Sequence, residues 1–324
     1  MTALRIDARH ERWPLKEAFT ISRGSKTAAD VVVVAATDGV HMGRGEAVPY
    51  ARYGETVDGA LAAIQSLGAV TSRQALQTLM PAGAARNAID CALFDLEAKQ
   101  TGRSAAAIAG VPDLRPILTA FTLSLDTPDV MSAKAKAARH QPLLKLKLGG
   151  AGDEARMFAV RTARPDARLI VDANEAWTAG QLEALFDAAR RAGVELIEQP
   201  LPEGQDEALA QISRPVAVCA DESLHTRSGL ARLKGRYDAI NIKLDKAGGL
   251  TEALALKDLG LSLGFLIMIG SMVGTSLGAA PAMILAQGAE WADLDGPLLL
   301  SNDREPAISI TAGVMSPPPA SLWG

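Results

Sequence analysis

Residues 143–149 read Leu-Leu-Lys-Leu-Lys-Leu-Gly, and residues 168–174 read Arg-Leu-Ile-Val-Asp-Ala-Asn. Each is a short run of strand-forming residues that stays apolar until its last positions and then turns charged. The pattern recurs at ILTAFTLSL (117–125), ELIEQP (195–200), VAVCADES (216–223), YDAINIKL (237–244), FLIMIGSM (265–272) and WADLDGPLL (291–299). The runs are spaced about 25 residues apart, the length of one strand, one helix and two short loops. Ala-rich amphipathic segments, such as Glu154 to Ala163 and Gln181 to Ala192, lie between them. Eight strand-helix units are what a closed parallel barrel requires, whereas an open doubly wound sheet has no reason to stop at eight.

Parallel strands covered on both faces should be apolar throughout. Six of these runs instead end on charge: Lys145 and Lys147, Asp172, Glu198, Asp221 with Glu222, Lys243, and Asp293 with Asp295. The carboxyl ends of barrel strands form the active-site face, so charge repeated there reads as chemistry rather than as solvated surface. Asp172, Glu198 and Asp221 come from three successive runs and would repel one another unless a cation neutralises them. An all-oxygen set without His or Cys suits a hard divalent ion, most simply Mg²⁺, and disfavours zinc. Three helix N-caps would be the bland alternative, but Glu198, followed by Gln199-Pro200, makes a poor cap.

Lys145 and Lys147 are two apart, so on a strand they share a face, and Leu144, Leu146 and Leu148 take the other. The helix-facing layer should be the leucine one, which leaves the lysines in the barrel mouth. Two such neighbours should push at least one lysine toward a lowered pKa, as a general base needs. Lys243 lies on the sixth run, diametrically opposite the second. A ligand held on the metal would then have a lysine over each face, an arrangement suited to inverting a carbon acid through an enolate. Asp293 and Asp295, also two apart, form an acidic pair away from the metal set and suited to an ammonium group.

The first third of the chain differs. DVVVVAA (30–36) and residues 40–45 flank Asp38-Gly39 and read as a hairpin, and Ala60 to Leu67 and Gly83 to Gln100 read as helices. Together they suggest a small α+β unit. After Leu300 no final helix is evident, so the tail is expected to return to this N-terminal unit. The chain has 324 residues, with a net charge of −4 and 4% aromatics, so neither a basic stripe nor a base-stacking surface for nucleic acid is expected. Leu259 to Ala289 carries no charge, yet Gly264, Gly270, Gly274, Gly278 and Pro281 interrupt it; a buried strand, loop and helix fit better than a membrane span. Cys91 and Cys219 read as two buried thiols in a reducing compartment, and no apolar signal segment opens the chain, so cytoplasmic residence is expected.

Taken in order, K-x-K (Lys145, Lys147), V-D-A-N (Asp172, Asn174), I-E-Q-P (Glu198), A-D-E-S (Asp221, Glu222) and N-I-K-L-D-K-A-G-G (Lys243) resemble the enolase superfamily, specifically its muconate lactonizing enzyme subgroup. Arg23-Gly24, Gly45-Glu46 and Tyr53-Gly54-Glu55 extend the match to most of the chain. Asp293-x-Asp295 makes it most similar to the dipeptide epimerases of the L-Ala-D/L-Glu type. The resemblance implies a modified TIM barrel, (β/α)7β, over residues 113–300, an α+β capping domain over 1–112, and a returning segment over 301–324. It implies one Mg²⁺ on Asp172, Glu198 and Asp221, with Asn174 and Glu222 beside them. It implies Lys147 and Lys243 as acid and base, assisted by Lys145, with Asp293 and Asp295 on the dipeptide ammonium and Arg23 on the side-chain carboxylate of a C-terminal Glu. The substrate would be a small dipeptide, drawn from murein-peptide recycling; whether the chain forms a homo-oligomer is open. The rivals are o-succinylbenzoate synthase or cycloisomerase chemistry, N-acylamino acid racemisation, and a non-catalytic ligand-binding barrel. The acidic pair argues against the first two, whose substrates carry no ammonium group.

Overall fold

The computed structural model describes residues 4–68, 70–111 and 113–324. It opens with an antiparallel sheet of β1 (Arg5–Ile21), β2 (Gly24–Thr37) and β3 (Met42–Ala47), in that order. The apolar run Val31 to Val34 sits wholly buried in β2. The turn into β3 forms because Asp38 Oδ1 accepts the Val40 and His41 N–H groups, at 2.8 and 2.7 Å. β1 was not expected from the pattern. It alternates exposed and partly buried residues with no apolar run, as a solvated edge strand does. Past Pro14 it leaves the β2 ladder and rejoins it at Phe19. In that gap Leu15 bridges to Leu300, and Ser301 N–H donates to Pro14 O at 2.8 Å. The hairpin tip is thereby held over the barrel.

Helices α1 (Val57–Gln65), α2 (Arg73–Leu79) and α3 (Ala84–Thr101) cover one face of this sheet. α3 approaches β3 at backbone distance because Gly43 and Gly45 have no side chain. A Cβ on Gly45 would stand 2.1 Å from the Ala88 carbonyl oxygen.

Eight parallel strands follow: β4 (Phe121–Leu123), β5 (Leu143–Lys147), β6 (Arg168–Asp172), β7 (Val194–Glu198), β8 (Ala217–Ala220), β9 (Ala239–Lys243), β10 (Leu266–Gly270) and β11 (Trp291–Asp293). They pair in chain order, and Ala120 N–H donates to Ala292 O at 2.8 Å where the first meets the last. Helices α4 (Pro128–Ala137), α5 (Asp153–Ala163), α6 (Leu182–Arg191), α7 (Leu250–Ser262) and α8 (Ser276–Ala286) pack outside. The strand-helix repeat fails twice. After β7 and β8 the chain forms only 3-10 turns, Glu207–Ala210 and Arg227–Leu233. Pro200, Pro202, Gly204 and Pro215 break the first connection, and Gly229 and Gly235 interrupt the second. The first run is also split: Ile117–Leu118 pairs with Val314–Met315 outside the barrel, and Phe121–Leu123 alone joins the ring.

Period-2 alternation sorts the barrel into layers. Leu144, Leu146 and Leu148 face the helices. Leu143, Ile170, Leu196, Cys219, Ala239, Met268 and Trp291 plug the interior with Ala120. Burying each larger apolar side chain there contributes about 1.5–3 kcal/mol. Above this floor, the next inward positions are polar. The uncharged stretch from Leu259 resolves into the end of α7, β10, a loop and α8, and among the described residues no helix is long and apolar enough to cross a membrane. The segment past Leu300 lies on the N-terminal unit: Arg304 pairs with Glu46 at 2.6 Å, and Trp323 Nε1 donates to Cys91 O at 3.1 Å.

Candidate active site

Strand register builds the site. Lys147 pairs with Asp172, and Asp172 with Glu198, so three strand ends form one row on the rim. Opposite, Lys243 pairs with Gly270 and Gly270 with Asp293. A cavity of about 480 Å³ lies between the rows and the hairpin tip, reached by Lys147, Lys243, Asp221, Asp293, Asp295 and Arg23. Asn174 and Glu222 also line it.

Lys145 is fully buried one layer below. Its Nζ stands 2.6 Å from Asp293 Oδ2, 2.6 Å from Glu198 Oε2 and 3.2 Å from Asp172 Oδ2. Burial alone would lower its pKa, but Asp293, Glu198 and Asp172 outweigh burial and hold it well above the ordinary lysine value. The expected lowering by lysine–lysine repulsion is therefore not found at Lys145, because carboxylates surround it more closely than the other ammonium does. Nor is the acidic pair separate from the carboxylate set, since Lys145 links Asp293 to Glu198 and Asp172.

Lys147 Nζ lies 2.5 Å from Asp172 Oδ2, and Lys243 Nζ 2.7 Å from Asp221 Oδ2. Burial would raise Asp172, but Lys147 and Lys145 hold it at about 2. Burial and the neighbouring Asp172 push Glu198 up to about 7; burial and Asp221 do the same to Glu222. Lys243 is raised: burial works against its charge, and Asp221 and Glu198 more than compensate.

The donor chemistry fits a hard divalent ion. Glu222 Oε2 is buried without a hydrogen bond, Glu198 Oε2 meets only the Lys145 ammonium, and Asp172 and Asp221 add to the upward shift of Glu198, so these carboxylates repel one another. As the side chains stand, Asp172 and Asp221 are turned onto lysines. Among the described residues no three His, Cys, Asp or Glu side chains form a grouping that would hold a metal ion in place.

Asp293 and Asp295 both reach the cavity, but only Asp293 is on a strand; Asp295 opens the short helix Gly296–Leu299. Asp295 Oδ2 accepts the Thr122 N–H at 2.7 Å, and burial with Asp293 alongside pushes its pKa up to about 7. Arg23, at the hairpin tip, donates to Glu222 Oε1 at 2.7 Å, Glu175 Oε2 at 3.1 Å, Asn174 O at 3.0 Å and Tyr50 Oη at 3.2 Å. It fastens the hairpin to the ends of β6 and β8.

Nothing in the strand-end pattern singles out Asn241, Lys246, Gln199 or Phe19. Asn241 Nδ2 donates to Glu198 Oε1 at 2.7 Å, and its place two residues before Lys243, on the same inward face, is the signal that finds it. Lys246 Nζ reaches Asp221 Oδ1 at 2.6 Å from just beyond β9. Gln199 Oε1 accepts the Asp221 N–H at 2.8 Å. The Phe19 ring centroid lies 5.9 Å from Lys147 Nζ.

Comparison with known proteins identifies the family and supports the fold. Residues 130–319 match the family described as "Enolase C-terminal domain-like", and residues 3–110 match "Mandelate racemase / muconate lactonizing enzyme, N-terminal domain". The chain is 47% identical over 309 residues to the L-Ala-D/L-Glu epimerase of Escherichia coli K12, covering 94% of this chain and 96% of that one. It is 45% identical over 300 residues to an N-acetyl-D-glutamate racemase of a Pseudoalteromonas species, covering 91% and 95%. A crystal structure of an enolase family member from Agrobacterium tumefaciens, with bound sodium and L-Ala-L-Glu, superposes with a TM-score of 0.97 at 51% identity, covering 99% and 100%. A dipeptide epimerase from Enterococcus faecalis, complexed with Mg and L-Leu-L-Tyr, superposes at 0.90 with 31% identity, covering 98% of each chain. With matched families across both parts of the chain and a barrel whose rim carries the expected lysines and carboxylates, the protein belongs to the enolase superfamily, in its mandelate racemase/muconate lactonizing enzyme group.

Proposed function

We propose that this chain is a Mg²⁺-dependent dipeptide epimerase that inverts the α-carbon of the C-terminal residue of a dipeptide of the L-Ala-L-Glu/L-Ala-D-Glu type. The observation that carries the reading is the pair of lysines, Lys147 and Lys243, on opposite strands of one cavity. One removes the α-proton from one face while the other, carrying its proton, delivers it to the opposite face; the roles exchange in the reverse direction. Lys145 assists from the layer below: a buried cation against Asp172, Glu198 and Asp293, it adds positive charge beneath the substrate carboxylate. Asp293 and Asp295 orient the dipeptide through its ammonium group, and Arg23 adds positive charge at the hairpin end. Asp172, Glu198 and Asp221 would hold the magnesium ion, with Asn174 and Glu222 beside them. When bound, that ion supplies positive charge to the substrate carboxylate and to the oxygen charge that builds as the α-proton leaves. The division into capping domain (1–112), barrel (113–300) and returning segment (301–324), cytoplasmic residence, and murein-derived peptides as substrates belong to the same proposal.

A second reading, racemisation of an N-acylated glutamate, is favoured by the Pseudoalteromonas relative and by Asp295. At a pKa of about 7, a protonated Asp295 can donate a hydrogen bond to an acyl carbonyl. Incubating the protein with L-Ala-L-Glu and with N-acetyl-L-glutamate, followed by chiral chromatography, separates the two. The first reading predicts inversion of the dipeptide at the greater kcat/KM, lost with chelator and restored by Mg²⁺. Inversion of the N-acetyl compound alone would reverse the assignment, and no inversion of either would reject both.

A further inference from the structure

The outer edge of the N-terminal sheet is open. β1 lies at one side of the β1-β2-β3 order, and among the described residues no strand pairs with its free edge before Leu15 bridges to Leu300. Its ladder with β2 runs unbroken from Arg5 to Pro14, so alternate residues of this stretch turn their N–H and C=O groups outward. Long edges are commonly protected by lysine, proline or a bulge. Residues 5–13, RIDARHERW, contain neither lysine nor proline, and the ladder shifts register only after Pro14. On the helix side, Leu4, Ile6 and Ala8 are only partly buried against the core that the helices cover.

What this edge carries is charge of alternating sign. Arg5, Asp7, Arg9 and Glu11 share one face of the strand, and the first three side chains are 76, 57 and 59% exposed. Within one chain they pair along the strand, Arg5 with Asp7 at 2.8 Å and Arg9 with Glu11 at 2.6 Å; Glu11 also meets Arg304 at 2.8 Å. The order plus, minus, plus, minus is its own complement when reversed. Antiparallel pairing of two copies about Ala8 sets Arg5 opposite the partner's Glu11 and Asp7 opposite the partner's Arg9, and the two-fold axis repeats both contacts. Centring the pairing on Asp7 or on Arg9 instead sets like charges against each other. On the helix side, pairing about Ala8 gives Ile6 and Ala8 a neighbour across the edge. We propose that the β1 edge is an interface between two copies of this chain, joining their three-stranded sheets into one through residues 5–11. The inference stands apart from the epimerase reading, since Ala8 lies at the end of β1 away from the hairpin tip that closes the cavity.

Sedimentation velocity over about 1 to 100 µM protein compares the wild type, Asp7→Arg, Arg9→Asp and the double variant carrying both substitutions. Both positions are exposed, so thermal denaturation should show each variant folded. The wild type should form a dimer whose share rises with concentration. Each single variant sets like charges opposite one another at two symmetric places and should weaken dimerisation about tenfold or more. The double variant restores opposite charges across the axis and should recover most of the wild-type affinity. A wild type that stays monomeric at the highest concentration, single variants that associate as the wild type does, or a double variant no stronger than the single ones overturns the proposal.

Discussion

Asp295 shows how one residue can be found by its position yet have its behaviour set by its surroundings. The motif places it at the cavity; only the folded chain shows that burial and Asp293 keep it protonated up to a pH of about 7, with Lys145 pulling the other way. The ionised form, needed to hold an ammonium, is present above that pH. The profile of kcat/KM for L-Ala-L-Glu, which reports the free enzyme, should therefore fall as pH is lowered through about 7. Asp295→Asn should lower the plateau and remove that limb; a limb that survives the substitution belongs to another group. The strand-end residues were legible because charge at the end of an apolar strand is costly and repeats in register. Lys246 and Gln199 were not, because a glutamine or a lysine past the strand end carries no such cost until the packing around it is known, and Asn241 had only its place two residues before Lys243 to mark it.

At the scale of elements, the contact of β3 with α3 depends on what is missing from two side chains. Gly45→Ala would drive a methyl group into the Ala88 carbonyl, a backbone atom that cannot step aside. The substitution should cost about 3 kcal/mol, the upper range for overpacking, measured by urea denaturation; an unchanged midpoint would mean that α3 moves freely on the sheet. Asp245, just beyond β9, joins the N-terminal unit to the barrel: its Oδ1 accepts the Val48 N–H and the Asn87 amide, both at 2.9 Å. Burial pushes its pKa up to about 7, against a free value near 4. The folded state then holds this proton more tightly than the unfolded one, so its contribution favours folding at low pH and is lost as pH rises through about 7. Asp245→Asn keeps an acceptor and discards the charge. Its melting temperature should equal or exceed that of the wild type at pH 8, with the difference shrinking toward pH 5; a lower value at pH 8 would show that the charge itself is needed. The hairpin of β2 and β3 could be anticipated from Asp38-Gly39, whereas β1 could not, because an edge strand facing water needs no apolar run. The missing helices after β7 and β8 had a signal in their prolines and glycines, outweighed by the regular spacing of the strands.

Across the whole molecule, the barrel sets lysines from β5 and β9 on opposite sides of one cavity, and the N-terminal hairpin closes over them. The spacing of apolar runs was enough to place those strands in a ring, since parallel pairing in chain order leaves little choice of neighbour. How the hairpin tip and the segment past Leu300 fold back was legible only in outline, because those contacts join residues far apart in sequence. If Asp172, Glu198 and Asp221 hold the ion, Mg²⁺ at about a hundredfold excess over its dissociation constant should stabilise the folded chain by about 2.7 kcal/mol. That gain should vanish in Asp221→Asn, as read by thermal denaturation; an equal gain in the variant would move the ion elsewhere. The account's central claim, one lysine on each face of the α-carbon, is tested most directly by proton NMR of L-Ala-L-Glu and L-Ala-D-Glu in D₂O with Lys147→Ala and Lys243→Ala. Neither variant should interconvert the epimers, and any α-hydrogen exchange that survives should be confined to one epimer in Lys147→Ala and to the other in Lys243→Ala. Exchange of both epimers by a single variant, or full interconversion by either, would contradict it.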